Sequence, residues 1–170
     1  KAPPVDEEQA ARQFEQLMQT MQASGYVHYE ISNFAKPDRY ARHNSNYWKG
    51  VPYLGIGPSA HSFDGKSRQW NAANNAKYIK ALRNGEIHFE REELTAEQQY
   101  DEYVMTALRT IWGVKLEKVR TFGAHFERYF LKNVQHFLLA GQVERRNDTF
   151  YLTEKGKLLA DGIAMELFFA

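Results

Sequence analysis

The sequence predicts a mixed protein, α+β or α/β, built as two differently patterned halves, 1–90 and 91–170, joined through a charged connection at Phe89–Glu93. Three observations predict it. A helix, a glycine and a strand open the chain, which is the αβ unit that barrels and doubly wound sheets repeat. A dense run over residues 25–63 then packs three His, three Asn, five Tyr and one Trp among turn residues. Beyond residue 90, helical stripes closed by glycines lead into a hairpin, a mostly helical and winged-helix-like order.

Asp6 is placed to cap the first helix, with Glu7 and Glu8 in its first turn, where the macrodipole favours negative charge. Ala10, Phe14, Leu17, Met18 and Met21 recur at helical spacing, and Gly25 stops the helix. Residues 26–31 are rich in β-branched and aromatic side chains and predict a strand. One such unit does not distinguish a barrel from a doubly wound sheet. Residues 32–52 carry Pro37, Asp38, Gly50 and Pro52 without a clean period, and predict an irregular connection longer than usual. Its aromatics Phe34, Tyr40, Tyr47 and Trp48 argue against disorder. Residues 53–56 read as a second strand, followed by small residues from Gly57 to Ala60 that let backbone approach closely. Residues 68–70 predict a short strand, and 74–83 a helix ended by Asn84-Gly85.

In the second half, Thr95 and Gln98 fit a capping box ahead of the stripe Tyr100, Tyr103, Val104, Ala107, Leu108 and Ile111. A short helix through Leu116 and Val119 ends at Gly123, and a longer one from Phe126 to Leu138 ends at Gly141. Residues 143–152 predict a hairpin turning at Asn147-Asp148, and Thr153 caps a last helix.

Composition narrows the chemistry. The chain has no cysteine, which excludes a disulfide framework, a cysteine nucleophile and a thiolate-held iron–sulfur cluster within it. Its 22 basic and 21 acidic residues leave a net charge of +1, no footprint for nucleic acid or an anionic membrane. No apolar run approaches the ~20 residues of a membrane span, and no signal peptide opens the sequence, so a soluble chain is expected. The first residue is Lys1, from which a fragment of a longer protein is expected.

His43, within His43-Asn44-Ser45-Asn46-Tyr47-Trp48, could ligate iron while Tyr47 and Trp48 stack on a planar macrocycle. The alternative is a histidine that satisfies loop backbone while the aromatics anchor the loop. His28 and His61 could join His43 as a metal triad, although none of the spacings is the i, i+4 pair of a helical site. Backbone amides of Gly55-Ile56-Gly57-Pro58-Ser59-Ala60 could meet an adenosine or a carboxylate; the alternative is a tight turn between packed strands. Glu30 could act as an acid or base, or pair with Arg39 or Arg42. Arg145, Arg146, Lys155 and Lys157 flank the wing, beside a helix crowded with aromatics, and no nucleic-acid binding is expected.

Three blocks in order, YEISNFAKP, HNSNYW and YLGIGPSAHSF, resemble the HemN/HemW family of radical S-adenosylmethionine proteins, which is related to oxygen-independent coproporphyrinogen III oxidase. The HNxxYW string resembles the HemW branch, regarded as haem chaperones. The resemblance spans essentially the whole chain, more loosely in the second half. It implies that residues 1–90 close an incomplete (β/α) barrel, with 26–31 and 53–56 as its final strands. His43 matches the family's haem-binding histidine, so the resemblance implies haem as ligand, His43 as its metal ligand, and Tyr47 and Trp48 as its pocket. Gly57, Ala60 and His61 lie where family members close over S-adenosylmethionine. The family's CxxxCxxC cluster motif has no counterpart here, so the [4Fe-4S] cluster is expected from the full-length parent, and this chain alone is expected to be inactive. Haem-acceptor proteins, a cytoplasmic location and peripheral membrane association of the parent complete what the resemblance implies. Two other readings stand beside it: a coproporphyrinogen III oxidase, and a winged-helix nucleic-acid module.

Overall fold

The computed structural model describes residues 6–169. Helix α1 (Glu7–Ala23) begins at Asp6, whose side chain accepts from the Gln9 amide at 3.0 Å. It ends through Gly25, whose φ of +71° suits glycine. Strand β1 (Val27–Glu30) follows, as its composition predicts, and pairs antiparallel with β2 (Asn33–Ala35). Within this chain β1 finds its partner in β2, the strand that immediately follows it. All sheet pairings among the described residues are antiparallel. The expected second strand, 53–56, is reduced to a single bridge between Tyr53 and Phe63, because the Gly55 turn diverts the chain out of the ladder.

The connection expected to be irregular is also corrected. Beyond β2 it contains helix α2 (Arg42–Trp48). No side chain caps α2, and its buried face carries only Ser45 with half-buried Trp48, so neither a cap nor an apolar stripe announces it. Its register is set from outside. Tyr40 packs on Tyr29 at 5.0 Å and edge-on to Trp112 at 6.3 Å, while Lys49 lies 4.2 Å above the Trp112 ring.

A second sheet has the order β3 (His61–Phe63), β4 (Ser67–Asn71), β5 (Phe89–Glu93). Helix α3 (Asn75–Arg83) joins β4 to β5 and is capped by Asn74. The segment read as a charged connection is therefore an edge strand. Its exposed charges Glu90, Arg91, Glu92 and Glu93 discourage further pairing.

Helix α4 (Ala96–Leu108) starts with the complete capping box of Thr95 and Gln98. It is followed by β6 (Val114–Lys115), α5 (Leu116–Phe122), α6 (Ala124–Asn133) and α7 (Gln135–Leu139). Strands β7 (Val143–Arg146) and β8 (Thr149–Leu152) turn at Asn147, which has φ +55°, and the sheet order is β6-β8-β7. The end of the chain breaks into α8 (Glu154–Lys157) and α9 (Ala160–Glu166). The core lies here: Tyr100, Val104, Phe126, Phe130, Phe150 and Leu167 are completely buried. Two tyrosines fasten the chain end, buried Tyr100 donating to the Leu167 carbonyl at 3.0 Å and half-buried Tyr129 to that of Phe168 at 2.6 Å.

Strand β1 is hooked to the exit of α4. The Ile31 amide donates to the Arg109 carbonyl at 3.0 Å, and the Ile111 amide to that of Tyr29 at 3.1 Å. The Glu30 side chain, 1 % exposed, receives Arg109 Nε at 3.1 Å. It also accepts from the Ser32 amide and from Asn33 Nδ2, and Arg109 continues to Asp161 of α9. Glu30 thus pairs with Arg109, rather than with Arg39 or Arg42. This fixes the platform on which α2 stands.

Candidate functional site

Helical spacing decides what α2 presents. His43 and Tyr47, four residues apart, share one face, their rings edge to face with centroids 4.8 Å apart. The row of rings continues through Tyr53, 4.6 Å from Tyr47, to Phe63, 6.2 Å further on. His43 is exposed and Tyr47 is 41 % exposed, so the row is open to solvent at the histidine end and shielded towards β3. A neutral imidazole held this way keeps a ring nitrogen free for a metal, and the flanking tyrosine restricts its rotation.

The opposite face points inward. Ser45 and Trp48 sit three residues apart, and the Arg109 guanidinium lies 5.9 Å from the Trp48 ring centre. Ser45 Oγ and Trp48 Nε1 are buried with no hydrogen-bond partner among the described residues. Two buried polar atoms left without partners are costly, and sites that bind something tolerate such a cost more readily than a plain scaffold does. Between α2, β4 and α4 runs a groove of about 260 Å³ that Tyr47 and Trp48 share with Tyr53, Arg68, Met105 and Lys118. Sequence reasoning found the first two and missed the rest. No spacing links residues 47, 68 and 118; only the tertiary fold brings them to one groove.

The small-residue turn after Tyr53 is built onto β4. Asn71, buried, donates Nδ2 to the carbonyls of Gly57 at 3.0 Å and Gly55 at 3.3 Å. The Gly57 amide donates to the Tyr78 hydroxyl at 3.2 Å, the Ser59 amide to Ala72 and the Ala60 amide to Gly57. The amides of Gly55, Gly57, Ser59 and Ala60, among those expected to meet an adenosine or carboxylate, are thus engaged within the turn and its neighbours, which leaves the Ala60 side chain and the exposed His61 ring to make contacts. His61 packs against Trp70 at 6.0 Å. Leu54 and Ile56, beside the turn, are 77 % and 84 % exposed.

A side chain at residue 55 would put its Cβ 2.1 Å from the His61 carbonyl oxygen. Gly55→Ala is therefore expected to destabilise the protein by about 1–3 kcal/mol. Chemical denaturation measures it; a change below about 0.5 kcal/mol would mean that the turn relaxes freely.

The histidine triad is corrected. Among the described residues no group of three or more His, Cys, Asp or Glu could hold a metal ion. His28 instead stacks on Phe34 at 4.1 Å, and its Nε2 donates to the Ile31 carbonyl at 2.8 Å. Burial pushes its pKa below the usual histidine value. On the wing, Arg145 faces Asp148, Arg146 faces Glu144 and Lys157 faces Glu154, so little unpaired positive charge remains there. No described helix is long and apolar enough to cross a membrane.

Comparison with known proteins places this geometry in context. Residues 94–159 match the family described as HemN C-terminal domain. The heme chaperone HemW of Bacillus subtilis is 32 % identical over 159 residues, covering 92 % of this chain and 42 % of that protein. The heme chaperone HemW of Mycobacterium tuberculosis is 31 % identical over 163 residues, covering 95 % and 40 %. That of Escherichia coli is 27 % identical over 161 residues, covering 92 % and 42 %. The chain thus spans about two-fifths of the length of these curated relatives. Among solved structures, coproporphyrinogen III oxidase (HemN) from Escherichia coli, a radical SAM enzyme, superposes with a TM-score of 0.70 over 97 % of this chain and 42 % of that one. Its identity of 21 % establishes likeness of fold.

Proposed function

We propose that this chain, which is HemN/HemW-like and carries a HemN C-terminal domain at residues 94–159, belongs to a radical S-adenosylmethionine haem chaperone that binds haem and passes it to acceptor proteins. One observation carries the reading: the HNSNYW stretch folds into α2 with His43 and Tyr47 on its open face. The names of the HemW relatives support it. His43 offers its ring nitrogen to the haem iron, Tyr47 orients that ring, and Trp48 anchors the helix from behind. An exposed ligand suits a carrier, since cargo that must leave is held by few groups and not enclosed.

In this reading residues 1–90 complete a barrel with other parts of the full-length protein, and residues 91–170 form the winged-helix-like domain. Exposed Leu54 and Ile56 are apolar surface of the kind such a barrel would cover. Gly57, Ala60 and His61 approach S-adenosylmethionine through small side chains and the imidazole, the amides being engaged. A [4Fe-4S] cluster does not fit this chain, which offers no thiolate, and no radical step is assigned to its residues. In the same reading the full-length protein works in the cytoplasm.

Mixing the haem-loaded full-length protein with apomyoglobin tests the proposal. Transfer should appear as the Soret spectrum of the acceptor, with no consumption of coproporphyrinogen III under anaerobic reducing conditions with S-adenosylmethionine. Turnover of coproporphyrinogen III without transfer would replace the chaperone reading with the oxidase.

A further inference from the structure

We propose that the groove beside α2 receives the carboxylate edge of the haem macrocycle, with Lys118 of α5 as its principal carboxylate-binding residue and Arg68 of β4 as the second. The inference rests on the haem-binding reading and says where on this surface the propionates go.

The argument is one of charge and place. Tyr47, the ring against which His43 packs, lines the groove directly, so a planar ligand held at His43 lies beside the groove's mouth. Tyr53, Phe63, Tyr103 and Phe122 give it aromatic walls suited to the flat face of a macrocycle. Three charged side chains line it, Arg68, Glu102 and Lys118, and the two cations can meet propionates.

Arg68 and Glu102 form an ion pair, and burial raises the Glu102 pKa above the usual carboxylate value, with Arg68 opposing that rise. Their charges cancel. Lys118 has no carboxylate partner among the described residues, and its ammonium lies 5.0 Å above the Phe122 ring. The groove is left with one uncompensated positive charge against an aromatic floor. A cation free of any carboxylate beside aromatic rings is a good arrangement for an anion with an apolar body. Arg68 engages Glu102 and makes no other side-chain ion pair or hydrogen bond among the described residues, so its five-donor fork retains donors for a second carboxylate. The ligand that fits is a flat, apolar dicarboxylate.

Titrating the full-length protein with haemin and with haemin dimethyl ester, in wild type and Lys118→Ala, tests the inference. Lys118→Ala should weaken haemin on the order of tenfold while leaving the spectrum of the His43-ligated iron unchanged. The ester, which lacks the carboxylate charge, should bind wild type and variant alike. Lys118→Arg should restore haemin affinity, and Lys118→Glu should weaken it further; both keep a long polar side chain at an exposed site, which guards against misfolding as the cause. Equal haemin affinity in wild type and Lys118→Ala overturns the inference, and so does an equal loss for haemin and ester. If either occurs while His43→Ala still abolishes binding, the haem reading stands without this groove. If wild type binds no haemin, that reading falls and takes the inference with it.

Discussion

Replacing Glu30 with alanine is expected to cost about 3–5 kcal/mol of stability. The Glu30 side chain is 1 % exposed and accepts from Arg109 Nε, the Ser32 amide and Asn33 Nδ2. Its removal leaves Arg109, itself 19 % exposed, with a cation facing the interior and only Asp161 to oppose it. The loss should also loosen the hook between β1 and the exit of α4, and with it the seat of α2. Urea denaturation of Glu30→Ala measures the cost. Replacing both partners, as Glu30→Leu with Arg109→Met, should recover much of it, because no buried charge is then left unpaired and Asp161 is exposed to solvent. A single variant within about 0.5 kcal/mol of wild type would show that the pair plays no part in joining the halves.

The second large effect lies in the core. Phe126 is fully buried, stacked on Tyr100 at 4.8 Å and edge-on to Phe169 at 4.7 Å. Phe126→Ala removes the ring that joins α6 to α4 and to the chain end, and should cost about 3–5 kcal/mol. Calorimetry should show a lower transition temperature, with the C-terminal tyrosine contacts to Leu167 and Phe168 lost in the same transition. A cost below about 1 kcal/mol would mean that the surrounding side chains collapse into the space.

What the sequence reveals depends on whether a signal is local. The caps at Asp6, Asn74, Thr95 and Thr153 are hydrogen bonds within a few residues, and the helices they start are legible from their letters. The turn at Asn147 is legible for the same reason. Helix α2 is not, because its only inward residues are a serine and a tryptophan, and tertiary contacts from Trp112 and Arg109 decide its conformation. The edge strand β5 is hidden by its own solution to the edge problem: four charges in a row read as a connection. At the site, HNSNYW singles out His43, Tyr47 and Trp48, and the fold adds that the first two share a face while Trp48 turns away. Lys118 lies seventy-one positions beyond Tyr47 and carries no motif, so only the folded groove reveals it.

A haemin titration of the full-length protein beside its His43→Ala variant, read at the Soret band, tests the central claim most directly. Wild type should bind saturably, and the variant should lose the band while keeping its unfolding midpoint, since His43 is exposed and touches only Tyr47 among the described aromatic side chains. Equal binding by wild type and variant would contradict the account and leave His43 a surface residue of α2.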